Sequence, residues 1–213
     1  MINILVVDDH ALIRNGLKML LEERGNLKVT GEAGTGSLAI QLVRDHQFDI
    51  VLLDLSLPDQ HGIEVLKQLR IEQPLIKVIV LSMHPEDQYG VRVIKSGAMG
   101  YINKQSAPEK LVGAIEQVFN GKKFISPTLA EQLIDNMVAD KPAQLHQTLS
   151  NREYQTLCQM ASGHSLTEIA EIMMLSAKTV SVYRARMLEK MGFKNNAEAI
   201  HYAISHHLVG LDN

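Results

Sequence analysis

Residues 4–9 read ILVVDD and residues 50–54 read IVLLD, so each is a short apolar run that ends in aspartate. Three further short runs of strand-forming residues occur, at 28–30, 78–81 and 100–102. Each of the five runs precedes a stretch with helical periodicity, at residues 11–24, 37–45, 63–70, 87–96 and 107–120. Apolar strands that alternate with helices are typical of a parallel sheet covered by helices on both faces. The pattern therefore predicts an α/β domain with a five-strand, doubly wound parallel sheet.

The strand pattern stops near residue 121, and the rest of the chain has helical periodicity. The helical stretches are residues 127–138, 152–162, 166–173, 177–191 and 197–207. The polar segment 139–144, which contains a proline, is the best candidate for a linker. We therefore expect an α/β domain over residues 1–120, a linker with one helix over 121–147 and an all-α, four-helix domain over 148–213.

Composition excludes several classes of protein. The chain has 213 residues, of which 46% are hydrophobic, so it is long enough and apolar enough for two folded domains. Its longest apolar runs are far shorter than a membrane span. Asp8 and Asp9 interrupt the region where a signal peptide would need its apolar segment, and Cys158 is the only cysteine. We expect a cytoplasmic protein with no membrane partner.

Acidic side chains follow two of the predicted strands. In a sheet of flavodoxin-like order 2-1-3-4-5 the first and third strands are neighbours, so Asp8, Asp9 and Asp54 should meet in one crevice at their carboxyl ends. Two like charges at roughly 4 Å repel by about 4 kcal/mol at an effective dielectric constant of about 20. Either a cation must occupy the site or one carboxylate must stay protonated. Carboxylate oxygens in a partly open site suit Mg²⁺.

Two hydrogen-bond donors follow the remaining strands of this edge. Ser82 comes at the end of the fourth strand and Lys104 after the fifth. A hydroxyl and an ammonium are the groups that would hold the oxygens of a phosphoryl group on Asp54. The set predicts phosphoryl transfer in which Asp54 is the nucleophile.

This part of the sequence resembles the receiver domain of two-component response regulators. The resemblance covers residues 2–120 and rests on Asp8-Asp9, on Asp54 with the following Leu-Pro-Asp and Gly62, on Ser82, and on the segment 97–104, GAMGYINK. It implies that a sensor histidine kinase phosphorylates Asp54, and that the backbone carbonyl of Ser56 joins Asp8, Asp9 and Asp54 around Mg²⁺. It also implies that Ser82 and Tyr101 form a switch pair.

A basic stripe marks one helix of the second half. Although the net charge of the chain is −3, residues 178–194 hold five basic groups and one acid, a local charge of +4. Ser165 with Glu168 predicts a capping box, Ser176 predicts the next helix cap, and the short connection between them is typical of a helix-turn-helix. We expect the outer face of the second helix to enter a DNA groove, with Arg184 turned toward a phosphate or an acid of its own domain. The predicted DNA contacts are Lys178, Thr179, Ser181, Val182, Ala185, Arg186 and Lys190.

This second half resembles the LuxR-type helix-turn-helix. The matching segments include residues 149–153, LSNRE, 161–165, ASGHS, and 176–180, SAKTV. A receiver joined to this module resembles the NarL/FixJ class of transcription regulators. The resemblance implies binding to promoter DNA as a homodimer favoured by phosphorylation, with the last helix contributing an apolar face of Ile200, Ala203 and Ile204. Residues 181–183, Ser-Val-Tyr, depart from the Lys-x-His that is frequent in the family, so its base preferences do not carry over.

Two alternative functions use the same residues differently. A phosphatase or phosphomutase would use Asp54 as nucleophile, but these enzymes often carry an acid two residues later, where this chain has Ser56. A protein-interaction module with an inactive receiver would show no salt-dependent DNA binding. We expect a phosphoacceptor switch rather than an enzyme.

Overall fold

The computed structural model describes residues 1–138, 144–206 and 208–209, without the side chains of 136–138. The chain divides into two compact units, Met1–Met137 and Val138–Asn213. Most of the predicted linker segment 139–144 lies outside the described residues, as does the end of the predicted domain 148–213.

The first unit contains the predicted five-strand parallel sheet, in the order β2-β1-β3-β4-β5. Its strands are β1 Ile2–Val7, β2 Leu27–Ala33, β3 Ile50–Asp54, β4 Lys77–Ser82 and β5 Gly100–Asn103. Its helices are α1 Ala11–Glu22, α2 Gly36–Asp45, α3 Gly62–Glu72, α4 Glu86–Lys95, α5 Ala107–Phe119 and α6 Pro127–Val138. A 3₁₀ turn, Lys104–Ser106, connects β5 to α5.

Burial explains why the apolar runs become strands. Every residue of β3 is buried, because helices cover both faces of the central strands. On one face Ile4, Leu52 and Leu111 belong to a single apolar cluster between the sheet and helices α1 and α5. Burial of each such side chain stabilises the fold by about 1.5–3 kcal/mol. The carboxyl ends of β1, β3 and β4 are thereby held side by side.

The second unit contains the four predicted helices. They are α7 Asn151–Ala161, α8 Leu166–Ile172, α9 Ala177–Met191 and α10 Asn196–Ser205, and a 3₁₀ turn, Leu145–Thr148, precedes them. The predicted last helix extends to residue 207, which lies outside the described residues. Ala203, which we expected on an exposed apolar face, is fully buried inside the unit.

Side-chain caps define where the helices of the second unit begin. Ser150 with Glu153 and Ser165 with Glu168 both form complete capping boxes. The Ser176 hydroxyl caps α9 by accepting a hydrogen bond from the amide at its third position. None of the helices in the described part of the chain has the length and apolar character needed to cross a bilayer.

The connection between α8 and α9 is a tight turn. Met174 adopts a left-handed conformation with φ of 53°. The Leu175 amide then donates to the Ala170 carbonyl at 2.8 Å, which closes the turn. This geometry confirms the predicted helix-turn-helix.

Gly62 provides a test of packing at the start of α3. A Cβ atom at this position would overlap the Asp54 carbonyl oxygen and lie 2.6 Å from Leu55 Cα, both of them backbone atoms. We expect Gly62→Ala to lower the free energy of unfolding by about 1–3 kcal/mol, because the backbone must move to make room.

The matched control is Gly113→Ala in α5, where a Cβ would meet no atom within 4 Å. This change should leave stability unchanged or raise it by up to about 1 kcal/mol, since alanine favours a helix over glycine. Urea denaturation followed by circular dichroism measures both. Equal stability of the two variants would contradict the close packing at Gly62.

Candidate functional site

Lys104 lies between two buried carboxylates at the carboxyl edge of the sheet. Its Nζ is 2.7 Å from Asp8 Oδ2 and 2.8 Å from Asp54 Oδ2. Asp8 follows β1, Asp54 ends β3, and the two strands are paired through Val7 and Leu53. The side chains of both acids are at most 3% exposed, and that of Lys104 is 11% exposed. The structure thus brings together three residues that the sequence predicts to converge.

The pKa values of this group follow from its burial and its charges. Burial raises the pKa of Asp54, and this effect outweighs the opposing charge and hydrogen bond of Lys104. Burial alone would lower the pKa of Lys104, but the charges of Asp54 and Asp8 and their hydrogen bonds raise it instead. Lys104 therefore stays an ammonium and provides the positive charge inside the pocket.

The loop after β1 offers oxygen ligands for a cation. Asp8 Oδ2 and Asp9 Oδ1 are both buried. Lys104 Nζ lies 2.7 Å from Asp8 Oδ2, and His10 Nδ1 lies 2.6 Å from Asp9 Oδ1. Asp8, Asp9 and His10 also present ligand atoms within 4.8 Å of one another. Since carboxylate oxygens suit a hard divalent ion, the residues present fit the Mg²⁺ that the sequence implies.

The side chains of Ser82 and Tyr101 both form hydrogen bonds with the backbone of His84. The fully buried Ser82 hydroxyl accepts a hydrogen bond from the His84 amide at 3.1 Å. The Tyr101 hydroxyl donates to the His84 carbonyl at 2.7 Å, and its ring is buried. Burial raises the pKa of the Tyr101 phenol, so the hydroxyl stays protonated as a donor. The predicted switch pair is thus connected through one residue of the loop between β4 and α4.

Two further residues hold the acidic loops. Neither was assigned a role from the sequence, although Asp59 is the aspartate of the Leu-Pro-Asp motif that follows Asp54. Arg14 Nη1 donates to the Asp8 carbonyl at 2.7 Å. The Asp59 carboxylate accepts hydrogen bonds from the Gly36 amide at 2.9 Å and from the Ser37 amide at 2.8 Å. Burial opposes the charge of Asp59, but the hydrogen bonds from Ser37 and Gly36 lower its pKa. The contacts of Asp59 with Gly36 and Ser37 join residues more than 20 positions apart, so the sequence did not indicate these partners.

The outer face of α9 has the predicted composition. Thr179 is half-buried, and its hydroxyl shares a hydrogen bond with the Ser176 hydroxyl at 2.8 Å. The other predicted contact residues are exposed: Lys178, Ser181, Val182, Ala185, Arg186 and Lys190. The opposite face packs into the unit through Val180, Met187, Leu188 and Met191. A cationic, small-residue face is therefore directed outward.

Two of the cations on α9 have partners within the unit. Lys190 Nζ is 2.7 Å from an oxygen of Glu153, whose side chain is 4% exposed. Arg184 Nε donates to Asn196 Oδ1 at 2.6 Å, so its partner is an amide rather than the expected acid or phosphate. Because Glu153 offsets the charge of Lys190, the free positive charge of residues 178–194 is smaller than their sequence count of +4.

Glu153 makes the stability of the second unit depend on pH. Burial opposes its charge, but the hydrogen bonds from Lys190 and Ser150 lower the pKa of Glu153 below its usual value. A carboxyl group of this kind stabilises the fold above its unfolded-state pKa of about 4.3, and this stabilisation is lost as the pH falls through the folded-state pKa.

We expect Glu153→Gln to lower the free energy of unfolding by about 1–2 kcal/mol at neutral pH, because a charged hydrogen bond is lost. The difference from the parent should shrink as the pH falls below about 4.3, the unfolded-state pKa, and through the lower folded-state pKa of Glu153. Urea denaturation across this pH range measures it, with Glu171→Gln at an exposed site of α8 as the control. If the difference in unfolding free energy between Glu153→Gln and the parent does not change with pH, the charge of Glu153 does not contribute to stability.

Comparison with known proteins agrees with both halves of the structure. Residues 4–116 match the response regulator receiver domain, and residues 147–203 match the bacterial regulatory proteins of the luxR family. The chain is 36% identical to the response regulator UvrY of Escherichia coli K12 over 209 residues, which cover 98% of this chain and 96% of UvrY. It is 37% identical to the response regulator GacA of Pseudomonas aeruginosa over 210 residues, 98% of each chain.

A solved structure with both domains is similar as well. RcsB of Salmonella enterica serovar Typhimurium, bound to the rprA promoter in the presence of the phosphomimetic BeF₃⁻, aligns with a TM-score of 0.63 and 25% identity over 96% of this chain and all of RcsB. The chain therefore belongs to the NarL/FixJ-class response regulators, the transcription regulators that join a receiver domain to a LuxR-type helix-turn-helix.

Proposed function

We propose that Asp54 accepts a phosphoryl group from a sensor histidine kinase and that this modification favours a homodimer that binds promoter DNA. The main support is the pocket around Lys104, which contacts the buried carboxylates of Asp54 and Asp8. Beside it, Asp8, Asp9 and His10 present ligand atoms within 4.8 Å of one another. The pocket thus combines a nucleophile, a cation that neutralises charge and ligands for a second cation.

Phosphoryl transfer takes place between two side chains. An Asp54 carboxylate oxygen attacks the phosphorus, a P–O bond forms, and the bond between phosphorus and the histidine nitrogen of the kinase breaks. Lys104 and the Ser82 hydroxyl hold the transferred oxygens. When bound, Mg²⁺ supplies further neutralisation of the charge that develops on the phosphoryl group. The residues that would hold it are Asp8, Asp9, Asp54 and, through its backbone carbonyl, Ser56.

In this proposal the receiver is a switch that accepts one phosphoryl group per chain. Ser56 stands two residues after the nucleophile, where a phosphatase often carries an acid, and a serine hydroxyl is too weak an acid to replace it. Loss of the phosphoryl group is therefore slow. Function in the bacterial cytoplasm follows from promoter binding, and the buried thiol of Cys158 fits a reducing compartment.

On the DNA side, the exposed face of α9 enters the major groove. Lys178 and Arg186 contact phosphates or guanine, while Val182 and Ala185 allow close approach to the bases. In the homodimer, two such helices bind half-sites about one helical turn apart.

The last helix contributes less to the dimer than its sequence suggests. Because Ala203 is buried, the apolar face of α10 available to a partner consists of Ile200 and Ile204. Two apolar side chains form a small contact, so this helix supports dimerisation only together with the receiver and the DNA.

The phosphoacceptor role is tested by Asp54→Asn, with Asp45→Asn at an exposed end of α2 as the control. With acetyl phosphate and Mg²⁺, the parent and the control should gain one phosphoryl group by intact mass and bind promoter DNA more tightly. Asp54→Asn should show neither change, because a neutral amide lacks the nucleophilic carboxylate oxygen. A donor-dependent rise in DNA affinity that persists in Asp54→Asn would overturn the proposal.

The DNA-binding face is tested by Lys178→Ala and Arg186→Ala, with Lys110→Ala on α5 as the control. Each residue that contacts a phosphate contributes close to one to the slope of log K against log salt, so each α9 variant should reduce the slope by about one. Fluorescence anisotropy with a promoter duplex over a salt series measures the slopes. Salt-independent binding, or equal slopes in all variants, would favour a protein-interaction module instead.

A further inference from the structure

Among the described side chains of α6, one buried leucine, Leu129, contacts α4. Leu129 is 1% exposed, whereas the other described side chains of α6 are exposed or half-buried. Its contact on α4 is Gly90, where a Cβ atom would lie 2.9 Å from Leu129 Cδ1 and 3.0 Å from Cδ2. The absence of a side chain at Gly90 is therefore what lets the two helices approach.

A hydrogen bond joins the beginnings of the same two helices. The Ser126 hydroxyl donates to Glu86 Oε2 at 2.5 Å and accepts from the Leu129 amide at 3.0 Å. Ser126 therefore caps α6, and Glu86 belongs to the first turn of α4. The position of α6 depends on where α4 begins.

The start of α4 is in turn held by the switch pair. His84 is bonded through its amide to Ser82 and through its carbonyl to Tyr101, and α4 begins two residues later. The His84 ring also packs on the Tyr89 ring of α4, with 4.9 Å between the centroids. A phosphoryl group on Asp54 accepts a hydrogen bond from the Ser82 hydroxyl. Rotation of Ser82 toward that group draws its oxygen away from the His84 amide, which weakens the contact that positions this first turn.

We infer that α6 couples phosphorylation of the receiver to the DNA-binding unit. Helix α6 is docked on α4 in the unmodified chain and is released when Asp54 is phosphorylated. The inference rests on the proposed function. Displacement of the α4 first turn removes the Glu86 partner of Ser126, and the remaining contact of Gly90 with Leu129 is a small apolar area.

Release of α6 changes the connection to the DNA-binding unit. While α6 is docked, only residues 139–144 separate it from the 3₁₀ turn that begins at Leu145. After release, the residues of α6 add to the length of this connection. A longer connection changes the effective concentration of one DNA-binding unit near another, and therefore the binding of paired half-sites.

Hydrogen exchange of the full chain measures docking directly. In the parent, BeF₃⁻ with Mg²⁺ should speed exchange of the α6 amides by about fivefold to tenfold, the effect of losing one hydrogen bond. Gly90→Ala should show the faster α6 exchange without BeF₃⁻, because the added methyl group displaces Leu129, while its α4 amides stay protected. Ser126→Ala provides a second route to release if Gly90→Ala does not fold.

Gly113→Ala is the matched control, since it makes the same chemical change in a helix with open space around it. It should leave α6 exchange as in the parent. If BeF₃⁻ protects the loop between β4 and α4 in the parent but α6 exchange does not change, the phosphoacceptor role stands and the inference fails. If BeF₃⁻ changes exchange nowhere in the chain, the proposed function fails, and the inference fails with it.

Discussion

The ion pairs of Lys104 with Asp8 and Asp54 are the interaction on which the receiver depends. Two carboxylates at the edge of a buried sheet lose hydration, and this loss is tolerable only if a cation compensates them. The strand order determines which residues can do so. Asp8 and Asp54 follow adjacent strands, while Lys104 follows β5, beyond β4, so its long side chain must reach across the strand that carries Ser82. The pocket is therefore built from the ends of four strands.

The loops on the two sides of this pocket are held by different kinds of hydrogen bond. On the side of the acidic loops, Arg14 holds the Asp8 backbone and Asp59 ties the loop after β3 to the start of α2. On the other side, the loop before α4 is held by hydrogen bonds of two hydroxyl groups, those of Ser82 and Tyr101. Neutral hydrogen bonds of this kind contribute about 1 kcal/mol each. One side of the pocket is therefore held by hydrogen bonds of charged side chains, and the other by hydrogen bonds of neutral hydroxyl groups.

In the DNA-binding unit, the same types of side chain serve folding and recognition. Lys190 pairs with the nearly buried Glu153, which also closes the capping box of α7. Arg184 bonds to Asn196 at the start of α10. These two cations fix α9 against its neighbours, whereas Lys178 is exposed on its outer face. A cation used to position the helix contributes less to the attraction of DNA than its formal charge implies.

The sequence by itself determined the strand and helix periods, the capping box of Ser165 with Glu168 and the convergence of the receiver's acids with Lys104. These depend on neighbouring residues and on the rule that parallel strands end at one edge of a sheet. It also indicated the exposed face of α9, since helical periodicity alone separates that face from the packed one. Only the tertiary structure decided which groups pair over long distances, such as Lys190 with Glu153 and Leu129 with Gly90. The physical reason is that each of these partners is chosen by how separate elements pack, and many chemically equivalent partners exist in the chain before it folds.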